Sequence, residues 1–277
     1  MKNTLQEFRL DNRVAVITGG AGLLGRKHAE AIIEAGGDVV LLDINEKALT
    51  EAKNYFSEEY KKEILALNVD ITDEKQLLKA KENIFKHFKK YPEILINNAA
   101  IDPKMEKEDK KDLSRLENFK LEQWNLEIAV GLTGALLCSR IFGAEMVKMK
   151  KGVILNISSD LGIIAPDQRL YRKEGVPEDQ QPVKPVTYSV IKHGMIGLTR
   201  YLATYWADKG VRTNAVCFGG IYNNQPDDFV KKLIGLIPMR RMAKKDEYKA
   251  TVLYMISDAS SFMNGSIVSV DGGRTCG

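Results

Sequence analysis

Cysteine and histidine are both scarce in this chain, and their spacing argues against two kinds of site. The 277 residues include three cysteines, Cys138, Cys217 and Cys276. An odd, widely spaced set argues against a disulfide framework and against a Cys-x-x-Cys metal site. The three histidines, which also lack metal-ligand spacing, are His28, His87 and His193. We therefore expect no bound metal, a reducing and hence cytoplasmic location, and helix-surface positions for His28 and His87.

The sequence also lacks a charge excess of one sign and a long hydrophobic run. The net charge is +4, and basic residues alternate with acids, as in residues 104–111, which is typical of a solvated surface. Nucleic acid is therefore not an expected partner. The longest helix-like apolar stretch, Ile128–Cys138, is too short to cross a bilayer. Residues 1–13 have no apolar core, so we expect neither a signal peptide nor a membrane association.

Short apolar runs recur along the chain and predict a parallel sheet. Each is rich in Val, Ile and Leu and is nearly continuous, which is typical of strands covered on both faces. The predicted strands are Val14–Thr18, Val39–Asp43, Ile64–Asn68, Ile94–Asn97, Val153–Ile157, Thr213–Cys217 and Ile267–Val270.

Segments with helical period lie between these runs. The predicted helices are Gly25–Ala35, Glu74–Phe88, Leu121–Lys148 and Thr187–Asp208. Alternating strands and helices predict an α/β protein with right-handed crossovers. We expect one doubly wound Rossmann domain over residues 1–277, with a mostly seven-stranded parallel sheet and helices on both faces.

A glycine-rich turn, Thr18–Gly25, joins the first strand to the first helix. Such a turn lets a pyrophosphate approach the backbone at a helix N-terminus. The second strand ends at Asp43, 18 residues after Gly25, and Rossmann folds place a ribose-binding acid about 20 residues on. A carboxylate there repels a 2′-phosphate, and neither Ile44 nor Asn45 is basic, so NAD is favoured over NADP. The alternative is a structural turn with a surface aspartate.

A series of motifs in a fixed order extends over nearly the whole chain. It comprises Thr18–Gly25, Asp70, Asn97–Ala100, Ser159, Tyr188–Lys192, Asn214, Ile237–Arg240, Ser257–Ser261 and Val270–Gly273. This series resembles the short-chain dehydrogenase/reductase superfamily. The resemblance implies a cofactor-dependent oxidoreductase that moves a hydride between nicotinamide and a secondary alcohol or ketone.

The resemblance implies a catalytic trio of Ser159, Tyr188 and Lys192. Tyr188 and Lys192 lie four residues apart, hence on one helix face. A free tyrosine has a pKa of about 10, and a neighbouring ammonium stabilises the phenolate. Tyr188 is then the acid/base, Lys192 tunes its pKa and binds the nicotinamide ribose, and Ser159 holds the substrate oxygen. The alternative for Tyr188 and Lys192 alone is an ordinary surface pair.

The resemblance also implies a set of cofactor-binding residues. The phosphates would lie on the turn, the adenosine on the second, third and fourth strands, and the carboxamide beside the sixth. The full set is Gly19, Gly22, Leu23, Leu24, Asp43, Ile44, Asp70, Ile71, Asn97, Ala99, Tyr188, Lys192 and Ile221.

The sequence departs from the family pattern at two positions. Leu23 occupies a position that is usually glycine in the shorter branch of the family, so the glycines have the spacing of its extended branch. Gly131 stands where a fourth catalytic residue, an asparagine, is usual. The loss of that asparagine favours an alternative in which the protein is a non-catalytic, NAD-binding regulatory or scaffold protein.

Two loops predict the substrate class. An insertion at about 167–186 separates Ser159 from Tyr188, and a lid is expected at about 221–246. The polar side chains of the insertion that suit a polyhydroxylated or anionic substrate are Gln168, Arg169, Tyr171, Arg172, Lys173 and Lys184. Together the loops resemble oxidoreductases of bacterial flagellin modification and surface-glycan synthesis, which implies a sugar or nucleotide-sugar substrate. A broad-specificity carbonyl reductase is a further alternative.

The two longest predicted helices bear on assembly. In the family, helices equivalent to Leu121–Lys148 and Thr187–Asp208 pair across subunits. The resemblance therefore implies a homodimer or homotetramer.

Overall fold

The computed structural model of the chain describes residues 3–101 and 114–276. The charged segment 104–111, which we interpret as a solvated surface, lies outside these ranges. Within them, all strands belong to one parallel sheet in the order β3-β2-β1-β4-β5-β6-β7. The strands are β1 (Val14–Thr18), β2 (Asp38–Asp43), β3 (Leu65–Asn68), β4 (Ile94–Asn97), β5 (Gly152–Ser159), β6 (Val211–Phe218) and β7 (Ile267–Val270).

Helices cover both faces of this sheet. Those in the described ranges are α1 (Leu23–Glu34), α2 (Glu46–Tyr60), α3 (Glu74–Phe88), α4 (Leu121–Ile128), α5 (Gly134–Met149), α6 (Val186–Tyr205), α7 (Asp227–Gly235) and α8 (Lys249–Ile256). Side chains of β1 alternate between two cores. Ala15 and Ile17 pack with α1, α2 and α8, while Val14 and Val16 pack with α3, α5 and α6. Because both faces of the sheet are buried, the strands are continuous apolar runs in the sequence. The arrangement confirms the predicted doubly wound domain.

The fifth and sixth strands are longer than the apolar runs that predict them. They pair over eight residues each, from Gly152 opposite Val211 to Ser159 opposite Phe218. Asparagine side chains inside them form hydrogen bonds in the interior. Asn156 Nδ2, for example, donates to Thr199 Oγ1 over 2.8 Å. The extension places Ser159 as the last residue of β5.

The predicted helix over 121–148 is interrupted. A π-helical turn, Ala129–Thr133, separates α4 from α5. By length and hydropathy alone, the continuous run Leu121–Met149 is able to cross a membrane, and half of its most apolar 18-residue window is buried inside the structure. The expectation of no membrane association therefore stays a prediction.

Candidate active site

A cleft of about 1460 Å³ opens at the carboxyl ends of the strands. It lies above β1 and β4, where the strand order reverses, which is the usual ligand position in open parallel sheets. The insertion and the segment around α7 form its outer wall. The cleft is therefore bounded by the fixed sheet on one side and by the two predicted loops on the other.

The glycine turn forms one end of this cleft. Gly22 is the N-cap of α1 and provides no side-chain cap, so the first-turn N–H groups near Leu23 and Leu24 remain available to a ligand. A Cβ added at Gly25 would lie 2.4 Å from the Gly19 carbonyl oxygen. Gly19 itself has a φ of +58°, which favours glycine. The turn is thus a close-packed cradle of the kind that fits a pyrophosphate.

Asp43 lies beside this cradle at the end of β2. Its Oδ2 accepts from the Ala21 N–H over 3.1 Å, and its Oδ1 accepts from the Asn45 N–H over 3.0 Å. Ile44, the next residue, is 73% exposed and lines the cleft. The described lining residues from this end of the cleft include no lysine or arginine.

Asp70 and Ile71, which follow β3, also line the cleft. Asp70 Oδ1 accepts from the N–H and the hydroxyl of Thr72 over 2.8 and 2.7 Å. The cap of α3 is Asp73, which accepts from Lys75 and Gln76. Asp70 therefore closes a turn before α3 and does not cap it.

The structure separates Asn97 from the other predicted cofactor residues. Its side chain is 2% exposed and donates to Ser139 Oγ and Asn156 Oδ1 over 3.0 and 2.8 Å. Asn98, which the sequence reasoning missed, lines the cleft instead, together with Ala99. Its amide donates to the carbonyls of Thr18 and Gly19 over 3.0 and 3.1 Å. Asn98 thus braces the glycine turn.

Ser159, Tyr188 and Lys192 line the same cleft. Lys192 is 6% exposed, and its Nζ donates to the Ile157 carbonyl over 3.0 Å. This nitrogen lies 5.7 Å from the centre of the Tyr188 ring. The helix α6 positions both residues, since it begins at Val186 with Pro185 as its N-cap.

Ser159 is held by a neighbour that the sequence reasoning did not single out. Its hydroxyl donates to Asp160 Oδ1 over 2.7 Å. The other oxygen of Asp160 pairs with Arg274 Nη1 over 2.6 Å, and the two side chains are 4% and 7% exposed. The chain beyond β7 therefore reaches the residue that follows Ser159.

The insertion packs against the segment that we predict as a lid. Leu170 is buried with Leu233 of α7, and the Tyr171 and Phe229 rings lie 5.7 Å apart. Lys232 Nζ donates to the Arg172 carbonyl over 2.8 Å. These contacts join the insertion and α7 into one wall over the cleft.

The polar side chains of the insertion fall into two groups. Tyr171, Arg172, Lys173 and Lys184 line the cleft, whereas Gln168 and Arg169 are not among its lining residues. Arg169 pairs with Asp167 over 2.7 Å and is 80% exposed. Arg172 pairs with Glu178 over 2.5 Å.

Residues 13–171 match the family model described as short chain dehydrogenase. Residues 177–275 match the model described as enoyl-(acyl carrier protein) reductase. The chain belongs to the short-chain dehydrogenase family. It is an oxidoreductase, and the suspected superfamily is confirmed.

Several relatives of this dehydrogenase match it along nearly their whole length. Galactitol 2-dehydrogenase of Rhizobium johnstonii is 32% identical, over 98% of both chains. The NAD-dependent glycerol dehydrogenase of Listeria innocua is 30% identical, over 98% of this chain and 96% of its own. The post-translational flagellin modification protein A of Campylobacter coli is 28% identical, over 95% and 98%.

Solved structures of similar dehydrogenases carry both forms of the cofactor. A short chain dehydrogenase from Leptospira borgpetersenii with bound NAD⁺ is 28% identical, with a TM-score of 0.82 over 99% of this chain and 96% of its own. A gluconate 5-dehydrogenase from Burkholderia cenocepacia in complex with NADP and tartrate is 25% identical. Its TM-score is 0.84 over 99% and 100%. The fold is therefore that of nicotinamide-dependent enzymes, and the choice between NAD and NADP depends on local residues.

This dehydrogenase has a packed interior at Gly131. A Cβ added there would lie 2.7 Å from Ile191 Cγ2. Ile191 is 4% exposed and directly precedes Lys192. The side chain of Ile191 thus fills the space that a larger residue at position 131 would need.

Proposed function

We propose that this dehydrogenase transfers a hydride between NAD(H) and a secondary alcohol or ketone of a sugar, sugar alcohol or nucleotide sugar, in surface-glycan metabolism. The observation that carries the proposal is that Ser159, Tyr188 and Lys192 line one cleft with the glycine turn and Asp43. A scaffold protein would need only the nucleotide half of this arrangement.

The cradle and its neighbours would hold the cofactor. The turn and the α1 N-terminus suit the pyrophosphate, and the Asp43 carboxylate suits the ribose hydroxyls. The described lining of that end offers no basic side chain to a 2′-phosphate, which supports NAD over NADP. Bound there, the nicotinamide supplies the hydride acceptor or donor.

The residues of the chain move the proton. Tyr188 takes the hydroxyl proton of the alcohol during oxidation and returns it to the ketone oxygen during reduction. Lys192, whose ammonium lies 5.7 Å from the Tyr188 ring, favours the phenolate. Ser159 turns its hydroxyl from Asp160 to the substrate oxygen, donates a hydrogen bond to it, and so fixes the position of the reacting carbon.

The outer wall of the cleft supports a polyhydroxylated substrate. The amide side chains of Asn223, Asn224 and Gln225 line it together with Lys173 and Tyr171, and amides both donate and accept hydrogen bonds. Two relatives are named for the polyols galactitol and glycerol. A third is named for flagellin modification, which supports the surface-glycan setting.

We also propose a homodimer or homotetramer in the cytoplasm. The helices α4, α5 and α6 carry exposed apolar side chains outside the cleft, among them Leu121 at 66%, Leu136 at 46% and Val190 at 39%. Exposed apolar surface on these three helices suits a subunit interface. Sedimentation of the purified protein measures the assembly.

The test is a panel of polyols, sugars and small ketones with NAD⁺, NADP⁺ and their reduced forms, followed by nicotinamide absorbance. Tyr188→Phe removes the proton acceptor, so turnover should fall by about 100-fold or more while NADH binding stays intact. Tyr201→Phe, on the same helix but outside the cleft, is the matched control and should keep full activity.

The outcomes separate the alternatives. Undiminished turnover in Tyr188→Phe would refute the role of Tyr188. Equal rates with unrelated small ketones would identify a broad carbonyl reductase. Tight NADH binding without turnover on any compound would favour the regulatory or scaffold alternative.

A further inference from the structure

Two lysines flank Tyr188, each four residues away in the sequence: Lys184 before it and Lys192 after it. The Nζ of Lys184 lies over the Tyr188 ring at 3.8 Å from its centre, closer than the 5.7 Å of Lys192. Cations within about 6 Å of an aromatic centre interact with the ring electrons. Tyr188 thus lies next to two positive charges, one of which comes from outside its helix.

The backbone of Lys184 is fixed at the exit of the insertion. Its N–H donates to Gln168 Oε1 over 2.8 Å, so the two ends of the insertion are joined next to it. Pro185 follows and caps α6 with a φ of −56°, which the proline ring restricts. The anchored backbone limits how far the ammonium can move from the ring.

The rest of the insertion supports this anchor. Gln181, which is 8% exposed, binds the N–H and carbonyl of Lys173 over 2.8 and 3.0 Å and the Val176 carbonyl over 2.6 Å. Arg115 donates to the Glu178 carbonyl over 3.1 Å. Internal hydrogen bonds of this number give the insertion a defined shape over the cleft.

We infer that Lys184 is a positioning residue of the insertion that stabilises the phenolate form of Tyr188. The inference rests on the proposed function, in which Tyr188 is the acid/base. A positive charge above the ring attracts the phenolate more strongly than the neutral phenol, because ionisation adds negative charge to the ring and its oxygen. The insertion then does more than cover the cleft, since it brings a second charge to the acid/base.

Other charged groups line the same cleft. They are Lys192 on α6, Asp160 after β5, Arg274 in the chain beyond β7, Arg172, Lys173 and Glu174 in the insertion, Asp228 on α7, and Asp43 and Asp70 after β2 and β3. Glu127 on α4 binds Thr187, the neighbour of Tyr188. Asp160 is paired with Arg274 and Asp228 with Lys232, so these two carboxylates are partly neutralised. Among the charged groups of the insertion, Lys184 is the one whose ammonium lies over the Tyr188 ring.

The test follows the ionisation of Tyr188 without any substrate. The protein is labelled with ¹³C at the tyrosine Cζ, and the resonance that is missing from Tyr188→Phe is assigned to Tyr188. Its midpoint is then measured against pH in wild type, Lys184→Met, Lys184→Gln and Lys184→Arg. Lys231→Met, which removes an exposed charge on α7 outside the cleft, controls for net charge.

We expect the Tyr188 midpoint to rise by about 1 pH unit in Lys184→Met and Lys184→Gln, as for the loss of a nearby opposite charge. Lys184→Arg should stay close to wild type, because it retains a cation over the ring. Lys231→Met should not move the midpoint. Once the substrate panel identifies an alcohol that the enzyme oxidises, the midpoint of the pH profile of that turnover should shift in the same direction.

An unchanged midpoint in a folded Lys184→Met or Lys184→Gln variant would overturn the inference. So would an equal rise in Lys231→Met, since that would be a net-charge effect, or a rise in Lys184→Arg as large as that in Lys184→Met. These readings do not depend on turnover. A failure of the proposed function in the substrate panel is therefore distinguishable from a failure here.

Discussion

Asn97 and Asn98 are neighbours in the sequence, yet they face different parts of the molecule. Asn97 is the last residue of β4, and its side chain enters the core between β5 and α5. Asn98 is the first residue beyond the strand, and its side chain reaches the glycine turn. The motif predicts that this stretch reaches the site. The pleat of the strand, which alternates side chains between faces, decides which of the two residues does so.

His28 is another residue whose side-chain direction the sequence analysis did not give, since its predicted helix-surface position is wrong. The side chain is fully buried, and its ring lies 6.2 Å from that of Phe218. It shares the buried face of α1 with Gly25 and Ile32, at spacings of three and four residues. That periodicity was available in the sequence, but histidine is more often found at intermediate exposure.

Burial of His28 predicts a pH dependence of stability. Desolvation lowers the pKa of His28 from 6.5 to about 4, while a contact with Asn98 opposes the shift. Below pH 6.5 the unfolded chain therefore takes up a proton that the folded chain does not, and stability falls as the pH falls towards 4. The loss between pH 7 and pH 5 should be about 2 kcal/mol from this group.

Urea unfolding at the two pH values measures this loss, with His28→Leu as the comparison. Leu keeps an apolar side chain in the site and cannot take up a proton. The difference in stability between pH 7 and pH 5 should shrink by about 2 kcal/mol in the variant. The same pH dependence in both proteins would mean that His28 is not the group responsible.

At the scale of elements, segments with a continuous apolar run or a marked end are predictable, and segments with a sparse or short apolar pattern are not. The bounds of β1, β4, β7 and α3 match their predictions, because apolar runs and the Asp73 cap mark them directly. α2, α7 and α8 are not among the predicted helices. α2 has 15 residues but buries only Leu49, Ala52 and Phe56, so its apolar pattern is sparse. The nine residues of α7 and the eight of α8 give too few turns for the periodicity to stand out. The π turn between α4 and α5 packs against α6, where Gly131 lies beside Ile191, and no local pattern in the sequence predicts that contact.

The contact between this π turn and α6 predicts a coupling between Gly131 and Ile191. Gly131→Asn should destabilise the fold by about 1–3 kcal/mol, because its Cβ would overlap Ile191. Adding Ile191→Ala opens that space, so the double variant should lose less stability than the two single losses combined, by about 1 kcal/mol or more.

The double-mutant cycle is measured by urea unfolding. Gly131→Asn combined with Ile84→Ala, a buried residue of α3 in a different cluster, is the control and should be additive. Additivity in both pairs would show that Ile191 does not occupy the space beside Gly131.

At the scale of the whole molecule, the chain beyond β7 is tied to the centre of the sheet. Asp271 accepts from the N–H groups of Gly273 and Thr275 over 2.9 and 3.0 Å. This folds the segment back, so that Arg274 reaches Asp160. Asp160, the partner of Arg274, lies 114 residues away in the sequence, and the folded chain brings the two side chains together.

This buried ion pair predicts an asymmetric response to mutation. Arg274→Met leaves the Asp160 carboxylate 4% exposed without its partner, which should cost about 3–5 kcal/mol of unfolding free energy. Adding Asp160→Asn removes that charge and keeps an acceptor for the Ser159 hydroxyl, so the double variant should recover most of the loss.

Arg241→Met is the control, because it breaks an exposed ion pair. Arg241 and its partner Glu247 have side chains that are 46% and 36% exposed, and the loss of this pair should cost much less because water screens it. Urea unfolding of the four proteins gives the comparison. If Arg274→Met costs no more than Arg241→Met, or if Asp160→Asn fails to restore stability, the pair does not hold the chain end to the residue beside Ser159.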